Sequence, residues 1–367
     1  VAVDRRPVQW IEADLGESIV PLIVNDDHIP DHWAARHSLR PVKGATQNGA
    51  SNGCVKIALI NNMPDAALED TESQFFSLLE AAAGNLAVHV YLYYLPDVPR
   101  GDRVQDHLAK YYRPVDELWR QRFDGAIVTG TEPRQRNLRD EPYWNTLAAV
   151  FDWAEQHTAS TVLSCLAAHA SVLHSDGIDR HALPDKQFGV FDYQRIGKHE
   201  LTAGLSRVVR FPHSRWNEVR SDALVSHGYG VLDQSTSAGV NLFIKKKGDS
   251  LFVHFQGHPE YGSHTLLKEY RRDIRRFLKH ERPTYPSLPH GYFDASATDL
   301  LADFRARAEA HPAEEMLSAF PETSVTDTLK NSWHASGRAI YRNWLQFIIA
   351  RKPSVSPSPA LTPIVRA

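Results

Sequence analysis

Of the two cysteines in this chain, Cys165 closes a β-branched run, Ser160-Thr-Val-Leu-Ser, and opens an alanine-rich one, Leu166-Ala-Ala-His-Ala. That is the layout of a nucleophile elbow, in which a sharp turn lifts the nucleophile above the end of a strand. A thiol so placed sits at a helix N-terminus, where the dipole and the free N–H groups favour thiolate over thiol. The amide of Leu166 is then available to an oxyanion. By itself a cysteine after a strand is more often a small buried hydrophobe. A second strand-like run, Ser-Leu-Phe-Val-His-Phe-Gln, ends in Gly257-His-Pro-Glu-Tyr and delivers His258 and Glu260 two residues apart. Such a pair completes a thiol triad, with imidazole as base and carboxylate as its orienter.

Elements must bring these distant groups together. Val55–Asn61 is a continuous apolar run of the kind buried on both faces of a parallel sheet. Thr71 and Gln74 have capping-box spacing before a helix running to Gly84. Strands are predicted at Leu86–Leu95, Phe123–Thr129 and Ser160–Ser164, with a helix at Tyr143–His157. Leu242–Lys245 and Leu251–Phe255 read as an antiparallel pair turning through Lys-Lys-Lys-Gly-Asp, and Leu266–Phe277 as a helix. After Pro283 the pattern loosens until a helix at Ala339–Ala350. Alternating strands and helices predict an α/β fold, a three-layer, open, mostly parallel sheet flanked by helices. Three segments are expected: an irregular arm and linker over 1–53, a catalytic domain with a C-terminal helical extension over 54–350, and a disordered Pro/Ser tail over 351–367.

A net charge of −3 with 23% charged residues gives no basic surface for nucleic acid. Two cysteines in 367 residues cannot build a disulfide framework, which suits a reducing compartment. Cys54, in the linker before the first strand, reads as an incidental thiol. No stretch approaches the roughly 20 apolar residues that span a bilayer. The expectation is a cytoplasmic protein with small-molecule substrates, no metal and no tightly bound cofactor.

Further motifs carry a resemblance. Ile60–Pro64 (INNMP), Thr71–Leu79, Phe123–Gly130, Pro142–Trp144, Ser160–Ala170, Phe188–Tyr193 (FGVFDY), Pro212–Trp216 (PHSRW), Gly257–Tyr261, Glu269–Asp273 (EYRRD) and Ser332–Leu345 occur in one order over about residues 55 to 350. Together they resemble the homoserine O-succinyltransferase family, built on a flavodoxin-like, class I glutamine-amidotransferase-like fold. The resemblance implies ping-pong acyl transfer from an acyl-CoA co-substrate to the hydroxyl of homoserine or a related hydroxy amino acid such as serine. Cys165 would carry the acyl group, and Leu166 and Thr131 would supply the oxyanion amides. Arg272 would hold the acceptor carboxylate, with Ser214 and Arg215 lining its pocket, in a homodimer. Arg134 falls at the family's acyl-selecting position, where a guanidinium suits succinyl better than acetyl. Asp65 stands where lysine is common and places a negative charge beside the site. His169 replaces a common glutamine and either tunes the thiolate or fills space. The same triad also serves a glutamine amidotransferase-type hydrolase, the alternative reading.

Overall fold

The computed structural model describes residues 22–24 and 54–352. Its main sheet has the strand order β1-β3-β2-β5-β6-β13-β12-β9 and contains Ile23–Val24 (β1), Cys54–Ile60 (β2), Ala87–Tyr94 (β3), Gly125–Val128 (β5), Ser160–Ser164 (β6), Gly230–Val231 (β9), Leu242–Lys247 (β12) and Ser250–Phe255 (β13). Arg113–Pro114 (β4) pairs beside β3. From β1 to β13 the pairing is parallel, and β12 and β9 close the sheet antiparallel.

The apolar runs alternate between two cores, as the period of two requires. Val55, Ile57 and Leu59 of β2, Val162 of β6 and Val253 of β13 enter one core with Leu68–Ala83 (α1) and His334–Ile349 (α7). Ala58, Ile60, Val128, Leu163 and Phe252 enter the other with Trp144–His157 (α3) and Leu166–Asp176 (α4). Asp102–Tyr111 (α2) packs on the α1 side through Val104 and Leu108. The expected three-layer α/β architecture is the one found.

Four expectations change in detail. Thr71 does not cap α1: the helix begins at Leu68, with Glu69 and Asp70 favouring its positive end, and Thr71 is buried inside it. Gln74 instead donates to Thr265 Oγ1 across 3.0 Å. The last helix starts at His334, because Gly337 is part of it; a Cβ there would meet the Pro259 carbonyl at 2.9 Å. The loose stretch after Pro283 contains Ala295–Ala310 (α6), capped by Asp294 through the amide of Ala297. The arm, otherwise outside the described residues, contributes β1, which pairs with β3. The predicted tail lies outside them from residue 353, while Lys352 bonds Asp124 at 2.8 Å.

A second, antiparallel sheet of order β11-β10-β7-β8 was not foreseen as strands. It comprises His181–Arg195 (β7), Val208–Glu218 (β8), Asp233–Ser235 (β10) and Gly239–Val240 (β11). With Thr265–Leu278 (α5) and α6 it builds a third core around Phe188, Val190, Tyr270 and Trp333. This layer stands beside the carboxyl ends of β6 and β13.

Candidate active site

Parallel pairing of β6 with β13 sets Ser164 opposite Phe255, so Cys165 and the Gly257–Glu260 turn leave adjacent strands side by side. The Cys165 amide donates to Phe255 O at 2.7 Å, and the residue turns sharply, with φ 52° and ψ −108°. An L residue in that region is strained, and a strand fully buried on one side with a helix on the other holds it there. Leu166 opens α4, and its amide is one of those the helix itself cannot engage. A Cβ on Gly130, at the end of β5, would lie 3.0 Å from Leu166 N. Glycine at 130 therefore keeps the space before that amide open.

His258 and Glu260 are both buried, with Nδ1 and Oε1 2.8 Å apart. Ser164 Oγ donates to the same Glu260 oxygen at 3.3 Å. Burial alone pulls the imidazole toward neutrality, but the Glu260 carboxylate and the Cys165 sulfur outweigh it and hold His258 protonated well above its ordinary range. Tyr261 stacks on His258 at 4.2 Å between ring centroids, and its hydroxyl donates to Glu269 Oε1 at 2.7 Å. These groups can form a thiolate–imidazolium pair with a carboxylate behind it.

The turn is braced from three sides. The His258 amide donates to Pro212 O of β8 at 2.9 Å. Asn241 Oδ1 accepts the Gly257 amide at 2.9 Å, while its amide nitrogen donates to buried Asp233. Trp333 donates to Tyr261 O at 2.7 Å.

A cluster of charge lies next to the triad. Ser214 on β8 donates to Glu269 Oε2. Lys186 on β7 approaches Asp273 at 3.1 Å and Glu269 at 3.6 Å. Arg272 is 3.4 Å from Asp273 and 4.0 Å from Glu269. Both cations therefore face carboxylates on α5.

Residues 25–355 match the family model described as homoserine O-succinyltransferase. A homoserine O-succinyltransferase of Rhodopseudomonas palustris is 43% identical over 291 residues, covering 79% of this chain and 87% of that protein. One from Methylorubrum extorquens is 42% identical over 297 residues, covering 81% and 88%. The chain belongs to the homoserine O-succinyltransferase family. That is a family of transferases. Among solved structures, a glutamine amidotransferase from Methylobacillus flagellatus is similar at 13% identity and a TM-score of 0.44, covering 81% of this chain and 96% of that one.

Within this member of the homoserine O-succinyltransferase family, the residues expected at the substrate pocket divide. Ser214 and Arg272 join the cluster by the triad. Arg215 does not line it. Alternation along β8 turns Ser214 to one face and Arg215 to the other, where its guanidinium donates to Asn217 O at 2.8 Å and Ala238 O at 2.7 Å. Asp65 likewise is no free negative charge: its carboxylate accepts the Gly101 amide at 2.8 Å and lies 3.3 Å from Arg100. That pairing crosses to another loop, so the residues around Asp65 give no sign of it. Arg134 is exposed and lines a cavity of about 280 Å³ with Thr131, Glu132, Glu141 and Tyr143. Its backbone amide donates to Glu141 Oε1 at 2.5 Å.

His169 is buried, and burial lowers its pKa to about 3, so the ring is neutral and its Nε2 group donates to Gln256 Oε1 at 2.9 Å. Gln256 also exchanges bonds with the backbone of Val219. His169 thus ties α4 to the second sheet rather than acting on the sulfur. Cys54 begins β2, and burial pushes its thiol up, away from reactivity. Lys186, Tyr261 and Glu269 escaped sequence reasoning as site residues. Tyr261 and Glu269 belong to the Gly257–Tyr261 and Glu269–Asp273 motifs, whereas Lys186 reaches the site only because β7 passes beside α5.

Proposed function

We propose that this protein transfers a succinyl group from succinyl-CoA to the hydroxyl of homoserine, by a ping-pong route through Cys165. The observation that carries the reading is the strained elbow cysteine at the end of β6, beside the strand that delivers buried His258 with its Nδ1 2.8 Å from Glu260 Oε1. Membership of the homoserine O-succinyltransferase family supports the choice of donor and acceptor.

In the first half, the Cys165 thiolate attacks the thioester carbonyl. The negative charge that develops on oxygen is met by the Leu166 amide and a second amide at Thr131. Collapse breaks the C–S bond to CoA, and the departing sulfur takes the proton from His258. In the second half, neutral His258 removes the proton of the acceptor hydroxyl as its oxygen attacks the acyl-cysteine. Cys165 leaves as thiolate and the imidazolium is restored. Glu260 holds the imidazole in one tautomer through both halves. The acceptor's amino-acid head fits the neighbouring cluster: its carboxylate reaches Lys186 and Arg272, and its ammonium reaches Glu269.

The test is intact mass after incubation with succinyl-CoA and no acceptor. A single succinyl adduct is expected on the native protein and none on Cys165→Ala; absence of an adduct on the native protein, or release of ammonia from glutamine instead, sinks the reading. For the second half, Lys186→Ala should leave adduct formation intact and slow its discharge by homoserine about 10- to 100-fold, since a charged hydrogen bond contributes about 1.5–3 kcal/mol. Serine and threonine serve as competing acceptors in the same measurement.

A further inference from the structure

A half-buried cation with no carboxylate in contact carries a desolvation penalty that a ligand anion would relieve. Arg180 is such a group. It is half-buried in the turn between α4, whose first residue follows Cys165, and β7. Two backbone carbonyls hold it, Gln135 O at 3.5 Å and Arg136 O at 3.3 Å. Among the described residues it forms no ion pair with a carboxylate. Both carbonyls belong to the loop that also carries Thr131 and Arg134, two of the residues that line the cavity with Glu141 and Tyr143.

The anion nearest in effect is Glu141, together with the phenol of Tyr143. Glu141 is already engaged, because its Oε1 accepts the amides of Arg134 at 2.5 Å and Gln135 at 2.6 Å. Burial draws the Arg180 guanidinium below its ordinary pKa, as expected where a charge lacks its counter-ion. Arg134, which lines this cavity, is exposed, and an ion pair formed in water contributes little. A half-buried fork of donors is the better match for a planar carboxylate.

We infer that Arg180 receives the distal carboxylate of the acyl group carried to Cys165, and that it selects dicarboxylic over monocarboxylic acyl thioesters. The inference rests on the acyl-transfer reading above and names the residue that discriminates among donors. Arg180 is in this sense a specificity residue of the first half-reaction, and it leaves the acceptor half to the cluster on α5.

The measurement is the single-turnover rate of adduct formation with succinyl-CoA and with butyryl-CoA, which has four carbons and no free carboxylate. It is made on the native protein, Arg180→Met, Arg180→Lys and Arg134→Ala. For Arg180→Met the preference for succinyl should fall about 30- to 100-fold, the range expected for a charge-assisted bidentate pair. Lysine should restore part of that preference, and Arg134→Ala should change it little. An unaltered succinyl-to-butyryl ratio in Arg180→Met overturns the inference, whether both rates hold or both fall together. A joint fall would make Arg180 a supporter of the thiolate or of the fold. Failure of the native protein to form any adduct is a different result and removes the acyl-transfer reading itself.

Discussion

Cys165 occupies a backbone conformation that glycine adopts freely and other residues adopt under strain. The elbow therefore stores energy at Cys165, and the proposed chemistry can be separated from the cost of presenting the thiol. Cys165→Ala and Cys165→Gly should both abolish the acyl adduct. Glycine should be the more stable of the two by about 1 kcal/mol, read as a higher midpoint in thermal unfolding. Glu260 offers a second residue-scale prediction. The active form requires the thiol ionised and the imidazole protonated, so adduct formation should decline as pH rises through the pKa of His258. Because Glu260 helps hold that pKa high, Glu260→Gln should bring the decline to lower pH and reduce the maximal rate about 10²- to 10⁴-fold, measured as a pH–rate profile of acylation.

At the scale of elements, the site exists because β6 and β13 are parallel neighbours in register. Both strands, and the placement of Cys165, His258 and Glu260 just past their ends, are legible in the residues: apolar runs ending at Cys165 and at Gly257 predict a shared sheet edge. The second sheet was harder to read. β7 alternates buried and exposed positions over only part of its length, and its polar half gives no strand signal. Lys186 and Arg180 belong to that region, so their placement depends on pairing that local pattern cannot reveal. Arg215 shows the same limit from the other side, since its role follows from which face of β8 it occupies. Two glycines carry element-scale tests. Gly130→Ala should place a methyl before the Leu166 amide and reduce acylation about 10²- to 10³-fold with a small change in unfolding temperature. Gly337→Ala should press on the Pro259 carbonyl and shift the triad turn. Its acylation rate should fall together with its unfolding temperature, whereas no change in either would free that contact of any part in holding the turn.

For the molecule as a whole, acid is the condition that its interior resists least. His169 and His254 are buried and neutral, with pKa values lowered by burial to about 3, and His213 is lowered well below its ordinary range for the same reason. Unfolding lets each take a proton below its ordinary pKa of about 6.5. Stability is therefore full above that value and is lost as pH falls toward the folded pKa values. Asp233 opposes this, because burial raises its pKa to about 7 and it holds a proton in the fold that it sheds on unfolding. Among the described residues these three histidines, joined by half-buried His199, whose pKa burial also lowers, outweigh the one aspartate and leave a net loss with falling pH between about 6 and 4, of order 1.4 kcal/mol per pH unit for each unbalanced proton. Thermal midpoints measured across that range should drop steadily, and a flat profile would contradict the assignment of neutral interior histidines.

The contacts made by the last helix bear on the history of each molecule. Trp344 donates to Ser160 on β6, Lys352 bonds Asp124 before β5, and Gly337 and Trp333 close on the His–Pro–Glu–Tyr turn. A chain still on the ribosome has made Cys165 and His258 well before it has made the residues that clamp them. The nascent protein is thus expected to remain silent toward thioesters until this C-terminal segment has emerged and docked. On the proposed mechanism, the sulfur of Cys165 is armed as a late event of synthesis.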